Sequence, residues 1–289
     1  MFHRVAIIGL GLIGGSIGLA LQKAKAAEHV AGYDHGKGVS KSACKIGAID
    51  QEYASMIEVV NGAELVILAT PVGVVRDVLQ SIAPALVAGT VVTDVSSTKT
   101  QVVSWAEEFL PTTVSFVGGH PMAGKEVSGV EVADPELFKG CTYCLTPTAH
   151  TCSTAISKVA SLVEILGAQL RFLEPAEHDG LVASVSHLPF LIAATLMNTV
   201  GEDSTWSDAS VLASSGFRDT TRLAAGNPEM YRDICLTNSS SIVHWLDAYV
   251  SNLSTLRDQI AMHTSDLKEV FVRSQHLRQQ WQTSYENKE

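Results

Sequence analysis

Positive charge is scarce in this chain. Of its 289 residues only 20 are Lys or Arg, against 30 Asp or Glu, for a formal net charge of −10. A chain of that sign has no general attraction for nucleic acid or for an anionic membrane surface, so neither is expected as a partner. An anionic ligand would have to find positive charge supplied locally. Cysteine is scarce too, and five is an odd number, which argues against a disulfide framework. Cys141 and Cys144 form a C-x-x-C, but they sit on a strand-like run, where residues three apart point to opposite faces. No second pair follows at zinc spacing, so they read as small buried apolar residues and no metal site is expected. No uninterrupted apolar run reaches the roughly 18 residues of a spanning helix. Residues 5–21 are broken by glycines and a serine and carry no cleavage pattern. The expectation is a soluble, cytoplasmic protein without a leader. No G-x-x-x-x-G-K-[ST] loop is present, which argues against a nucleoside triphosphatase.

What is present is apolar material. Hydrophobic residues make up 46% and charged residues 17%, enough for a real core and incompatible with intrinsic disorder. At roughly 150 residues per domain, the length allows about two domains. The first half alternates short apolar strands with helical segments. Strands are predicted at 4–8, 29–33, 65–69, 90–94, 115–118, 141–145 and 170–173. That alternation predicts an α/β fold with a parallel sheet covered on both faces. After about residue 174 the strand signals stop. Residues 181–199 read as a helix bent at Pro189. Residues 239–281 read as one long helical region, with apolar positions at spacings of three and four. The predicted division is a Rossmann-type domain over 1–173 and an all-helical domain over 174–289.

The strand at 4–8 runs into Gly9-Leu10-Gly11-Leu12-Ile13-Gly14, a G-x-G-x-x-G at a strand-to-helix junction. Gly9 permits the tight turn, Gly11 lets backbone approach a pyrophosphate, and Gly14 lets the helix pack closely. The free N–H groups at the helix start, around Leu12 and Ile13, suit the pyrophosphate. Asp34 follows twenty residues after Gly14, at the end of the second strand, where a carboxylate binds the ribose 2′-OH of NAD. Thr70 and Pro71 end another strand on the same expected surface. The cofactor expected is NAD. NADP is not excluded, because His35 and Lys37 beside Asp34 would offset its repulsion of a 2′-phosphate.

Four further segments carry candidate chemistry. Residues 93–99 (TDVSSTK) and 118–124 (GGHPMAG) each follow a strand end and so fall near the carboxyl edge of the sheet, where open α/β sheets bind ligands. Residues 184–189 (SVSHLP) and 214–222 (SSGFRDTTR) lie in the helical half. His120, in what reads as a glycine-rich turn, is placed to face a ligand as a base. His187 reads equally as a core histidine or a ligand contact. Arg218 and Arg222 flank Asp219; one of them reads as a structural ion pair, and an arginine fork suits a carboxylate. Ser96 and Ser97 read as possible caps of the next helix. Lys125 reads as a solvated lysine or a charge near the ligand.

Taken in order, GLGLIGGS, TDVSSTK, GGHPMAGKEVSG, EHDGLVASVSHLP and SSGFRDTTRLAAGNPEMYRDI resemble the prephenate/arogenate dehydrogenase family of tyrosine biosynthesis. The resemblance spans about residues 4–260. It implies a Rossmann domain followed by a helical dimerisation domain, hence a homodimer, and the oxidative decarboxylation of a small anionic cyclohexadienyl substrate. On this resemblance His120 accepts the hydroxyl proton and Ser97 stands near the nicotinamide and His120. Arg222 grips the ring carboxylate, His187 helps bind substrate, and Asp219 orients neighbouring site residues. Lys125 departs from the small polar residue usual after that turn, and added positive charge there would favour prephenate over arogenate. The resemblance also leads to the expectation of neither a fused N-terminal mutase nor a C-terminal regulatory domain.

Three alternatives follow. One is an arogenate dehydrogenase. The second is a β-hydroxyacid dehydrogenase of similar architecture, which relies on a lysine of the helical half; residues 174–235 contain none. The third is a non-catalytic NAD(H)-sensing dimer.

Overall fold

A computed structural model describes residues 1–125 and 127–286. The elements run β1 (Phe2–Ile8), α1 (Leu12–Lys23), β2 (Ala27–Tyr33), α2 (Val39–Lys45), β3 (Gln51–Glu52), α3 (Met56–Val60), β4 (Leu65–Leu68), α4 (Val72–Ile82), β5 (Val91–Asp94) and α5 (Thr100–Phe109). They continue through β6 (Ser115–Pro121), β7 (Thr142–Thr146), α6 (Ser153–Ile165), β8 (Gln169–Phe172), α7 (Pro175–Val182) and α8 (Leu188–Gly201). The chain closes with α9 (Trp206–Leu212), α10 (Ser215–Thr221), α11 (Pro228–Thr237), α12 (Ser239–Ala261) and α13 (Leu267–Glu286).

The strands form one sheet in the order β3-β2-β1-β4-β5-β6-β7-β8. Its inner strands β4 and β5 are buried on both sides, as a sheet covered on two faces demands, whereas the edge strands β3 and β8 are exposed. Val5, Ile7, Leu65 and Ile67 point into one core with Ile17 and Leu21 of α1 and Val159 and Leu162 of α6. Ala6, Ile8, Val66 and Leu68 point into the other with Val75, Leu79 and Ile82 of α4 and Val102 of α5. The order turns outward in both directions from β1 and β4, and that switch point is where open sheets of this kind take a ligand.

The structure corrects the sequence reading in several places. The sheet is not wholly parallel, because β6 and β7 are antiparallel, with His120 opposite Cys144. The segment 118–121 is therefore strand and not turn. Its two glycines signal a loop by composition, yet they serve close packing: a Cβ on Gly119 would stand 2.6 Å from the Asp94 carbonyl oxygen. The helix predicted at 181–199 is two helices, α7 and α8, joined by a π-helical turn over Ala183–His187. Pro189 stands in the first turn of α8, where its missing N–H costs nothing, and the wider turn precedes it. The whole run Pro175–Gly201 is by length and composition apolar enough to cross a membrane, because polar residues are tolerated within it; Asp179 of α7 is nevertheless bonded to the start of α5, as described below. The single long region predicted at 239–281 breaks into α12 and α13, with His263 at φ 52° between them.

The chain divides into two compact units, Met1–Ser239 and Ser240–Glu289. The first holds the sheet together with α7–α11. Within it, α11 packs on α4 so closely that a Cβ on Gly73 would stand 2.2 Å from Asp233 Oδ2. Asn227 starts α11 by accepting the N–H groups of Glu229 and Met230, a side-chain cap worth about 1 kcal/mol.

Candidate active site

The glycine turn behaves as its spacing predicts. Gly9 has φ +91°, and a Cβ there would meet the Ala69 carbonyl at 2.5 Å. At Gly14 a Cβ would stand 1.9 Å from the Gly9 carbonyl oxygen, so the start of α1 sits directly on the turn. A side chain at Gly11 would project into open space, leaving the N–H groups around Leu12 and Ile13 accessible at the helix start. Asp34 accepts the N–H groups of Leu10 and Gly36, each at 2.7 Å, which ties the acid to the turn. Thr70 follows β4 beside Pro71, and its Oγ1 is buried with no hydrogen-bond partner among the described residues. These features fit a dinucleotide: a turn that admits backbone close to a pyrophosphate, an acid at the second strand, and a buried hydroxyl at the switch point.

Beside this lies a polar cluster at the ends of β5 and β6. Asp94, fully buried, accepts the N–H of Gly119 at 3.0 Å and of Ser96 at 2.9 Å. Lys99, also fully buried, donates from Nζ to Asp94 and, at 2.7 Å, to the Gly119 carbonyl. Burial pulls the Lys99 pKa below its ordinary value, and Asp94 and Asp179 act against that. The pair clamps the strand that carries His120.

The helical half meets this cluster through Asp179. Its Oδ1 accepts the backbone N–H of Lys99 at 2.7 Å and its Oδ2 that of Thr100 at 2.9 Å. The carboxylate thus caps α5, a role that local sequence assigns to Ser96 and Ser97; the residue before the helix is Lys99, which makes no side-chain cap, and Ser96 Oγ is buried with no partner among the described residues. The reason is distance along the chain: the cap comes from 80 residues away. Burial raises the Asp179 pKa, but hydrogen bonds from His178, Thr100 and Lys99 outweigh it and hold the acid below its ordinary value.

The bond to His178 fixes more than Asp179. His178, fully buried, has Nδ1 2.9 Å from Asp179 Oδ1, and its Nε2 lies 2.9 Å from His120 Nδ1. An ionised Asp179 can only accept, so His178 Nδ1 carries a proton. In neutral His178, Nε2 is then an acceptor, and His120 must donate to it from Nδ1. His120 Nε2 is left with a bare lone pair, the form a base requires. Burial drives the His120 pKa well below 6.5, and the positive potential of His178, Lys99 and His187 adds to it, so His120 is neutral at physiological pH.

His187 follows the same logic with the opposite outcome. Asn238 Nδ2 donates to the Asp179 carbonyl at 2.8 Å and lies 3.3 Å from His187 Nδ1. His187 Nδ1 therefore accepts, and its proton sits on Nε2, a buried donor with no partner among the described residues. Burial pushes its pKa down to about 4. From His187 an aromatic path leads outward through Phe190, at 6.0 Å between ring centroids, to Tyr231 stacked on it at 4.0 Å. Arg222, exposed, lies near enough to Tyr231 for its charge to oppose the effect of burial on that phenol.

The structure thus brings His120 and His187 into one cluster, with Arg222 at its outer end. Ser97 stands half-buried on the β5–α5 loop. Its neighbour Thr98 has Oγ1 2.9 Å from that of Thr237. Asp219 forms an exposed pair with Arg218, Nε to Oδ1 at 3.0 Å. Lys125, exposed, is paired with Asp134 at 3.2 Å, so much of its charge is already offset. Cys141 and Cys144 are free thiols whose pKa values burial raises. No group of three potential metal ligands occurs among the described residues. Nothing local in the sequence marks a role for Asp94, Lys99, His178, Asp179 or Asn238. All but Asn238 lie inside the motifs quoted above, but nothing local marks which of them meet.

A dinucleotide turn at a switch point, beside a neutral histidine with one open nitrogen, defines a nicotinamide-dependent dehydrogenase of the Rossmann class. The nucleotide-binding domain model of prephenate dehydrogenase matches residues 17–172, and its dimerization domain model matches residues 174–274. The chain belongs to the prephenate dehydrogenase family. It is 36% identical over 268 residues to the prephenate dehydrogenase of Bacillus subtilis, covering 92% of this chain and 72% of that one. The structure of prephenate dehydrogenase from A. aeolicus in complex with hydroxyphenyl propionate and NAD+ is 30% identical, with TM-score 0.91 over 97% of this chain and 98% of that one. Synechocystis arogenate dehydrogenase is 29% identical, with TM-score 0.82 over 96% of this chain and 99% of that one.

The His187 pKa sets a pH dependence. In the unfolded chain the ring protonates near 6.5; in the folded chain it does so only at about 4. Between those values the unfolded state binds more protons, so stability falls with falling pH. Urea denaturation should show that the stability difference between wild type and His187→Gln narrows as pH drops from 6.5 to 4. A difference independent of pH would contradict the buried neutral assignment.

Proposed function

We propose that this chain is an NAD-dependent prephenate dehydrogenase that converts prephenate to 4-hydroxyphenylpyruvate with loss of CO2. The observation that carries the reading is the buried chain Asp179–His178–His120, with successive contacts of 2.9 Å; with Asp179 ionised and His178 donating to it, the chain assigns Nε2 of His120 as the open acceptor at the carboxyl edge of the sheet. His120 takes the proton of the ring hydroxyl as the carbon bearing it loses hydride. Bound NAD+ supplies the hydride acceptor. The bond from the ring to its carboxylate then breaks, CO2 leaves, the electron pair makes the ring aromatic with the former hydroxyl oxygen as phenolate, and that oxygen takes a proton back from His120.

Gly9, Gly11, Leu12, Ile13, Gly14, Asp34, Thr70 and Pro71 hold the cofactor on this reading, with NAD preferred to NADP because Asp34 disfavours a 2′-phosphate. Ser97 stands near the nicotinamide and His120. The Nε2–H of His187 donates to the substrate, and Arg222 takes the ring carboxylate as a planar fork. Asp219 and Lys125 act at the periphery, where each already has an ionic partner.

A functional division at 173/174, supported by the two family-model matches, lies inside the first compact unit, because α7–α11 pack with the sheet; the helical part forms a homodimer. Large apolar side chains support the dimer: Val211 and Leu212 on α9 are 82% and 84% exposed in the single chain, and α12 exposes Val243, Val250 and Leu253. Large apolar side chains left exposed in this way on either unit are the kind that a subunit interface covers. As a biosynthetic dehydrogenase with five free cysteines, the protein works in the cytoplasm. Arogenate is the second substrate to test, since its dehydrogenase shares this fold.

Absorbance at 340 nm, with NAD+ and prephenate or arogenate, tests the reading. His120→Asn should lose at least ~10²-fold in kcat while still binding NAD+; near-normal turnover would refute the role of His120. Arg222→Ala should mainly raise KM for prephenate, and an unchanged KM would exclude it as the carboxylate anchor. Equal or greater kcat/KM with arogenate would overturn the substrate assignment.

A further inference from the structure

We propose that His178 is a positioning residue that takes over the proton collected by His120. The inference rests on the reading of His120 as the base and extends it one residue deeper. His120 Nδ1 and His178 Nε2 lie 2.9 Å apart, and His178 Nδ1 lies 2.9 Å from Asp179 Oδ1. His178 is fully buried and touches no solvent, so it serves neither solubility nor surface charge. The rings meet edge to face, with centroids 5.1 Å apart.

The resting pair holds two protons: one on His178 Nδ1, given to Asp179, and one on His120 Nδ1, given to His178. The hydroxyl proton of the substrate goes to His120 Nε2. The proton on His120 Nδ1 then moves along its hydrogen bond to His178 Nε2. Only N–H bonds are exchanged in the protein, and the positive charge ends on His178 against the Asp179 carboxylate instead of beside Lys99.

Lys99 and Asp179 favour that direction, whereas His187 opposes a charge on either ring and does not discriminate between them. His120 faces the cation Lys99 from the start of α5 and His187 from the turn after α7. Asp94 of β5 spends its negative charge on Lys99. From β7, Tyr143 and Cys144 stay neutral, because burial raises both their pKa values. Asp179 bonds the far side of His178. Protonation of the pair in acid has the same end state: a proton on His178 turns its Nε2 into a donor, His120 Nδ1 accepts, and Nε2 of His120 carries the hydrogen. The base is thereby switched off. The acid limb of kcat therefore reports the pair and not His120 alone.

The test is the pH dependence of kcat, followed at 340 nm with saturating NAD+ and prephenate, in wild type, His178→Gln and His178→Asn. The Gln carbonyl can still accept from His120 Nδ1 but cannot hold the proton. Its plateau rate should fall about tenfold or more, and its acid limb should move to lower pH. Asn is too short to reach His120; its limb should move the same way with a larger fall in rate. Either variant suffices if the other does not fold, with NAD+ affinity as the check on integrity. A limb that stays in place, or moves to higher pH, overturns the proposal. A purely structural role predicts the unmoved limb. His120→Asn separates the two levels: normal turnover in that variant removes the base itself, whereas its inactivity together with an unmoved limb in the His178 variants removes only the relay.

Discussion

The carboxylate of Asp179 is the joint on which the site depends. It takes two backbone N–H groups at the start of α5 and one ring N–H from His178. The first two attach the helical segment to the carboxyl edge of the sheet. The third sets a tautomer, which sets that of His120. One buried acid thus couples the docking of α7 on α5 to the chemical state of a residue on β6. Charge-assisted bonds of this kind are stronger than neutral ones. Removing one partner leaves the others buried and unsatisfied.

A second buried pair, Lys99 with Asp94, performs the matching task for the sheet. It holds Gly119 through both its N–H and its carbonyl, so the residue before His120 is fixed on two sides. Such a pair is a poor source of stability in itself, since desolvation offsets most of the attraction. Its value here is geometric and electrostatic: it orients the strand and places Lys99 near His120, where it adds to the larger effect of burial in keeping the imidazole neutral. The acidic net charge of the chain and the anionic nature of the proposed ligands are reconciled in the same way. On the proposed reading Arg222 supplies positive charge and the buried Nε2–H of His187 a hydrogen-bond donor locally, so that binding does not rely on the overall field.

Much of this was legible in the sequence because it is local. The turn at Gly9–Gly14 has its spacing, φ requirement and helix start within six residues, and the apolar strands are marked by composition alone. His120, His187 and Arg222 stood out as candidate groups, and the ordered motifs pointed to the family that the chain belongs to. What was not legible is long-range. His178 and Asp179 sit in the EHDG stretch with no local sign of their partners, which lie 58 and 80 residues away. Lys99 looks like any lysine at a helix start until β6 closes over it. His120 was misplaced in a turn because glycine and proline signal loops on average, whereas here the glycines allow strand, acid and lysine to approach. The cap of α5 was misassigned for the same reason: a serine next to a helix is visible in sequence, and an aspartate from another segment is not.

The most direct test of the account is the protonation pattern of the imidazoles themselves. Two-bond 15N–1H correlation spectra of the 15N-histidine-labelled protein at neutral pH distinguish a protonated Nδ1 from a protonated Nε2, with His120→Asn and His178→Gln spectra providing assignments. The account predicts that His120 is neutral and protonated on Nδ1 and that His178 carries its Asp179-bound proton on Nδ1, with His187 neutral and protonated on Nε2. A His120 ring protonated on Nε2 at neutral pH would contradict it.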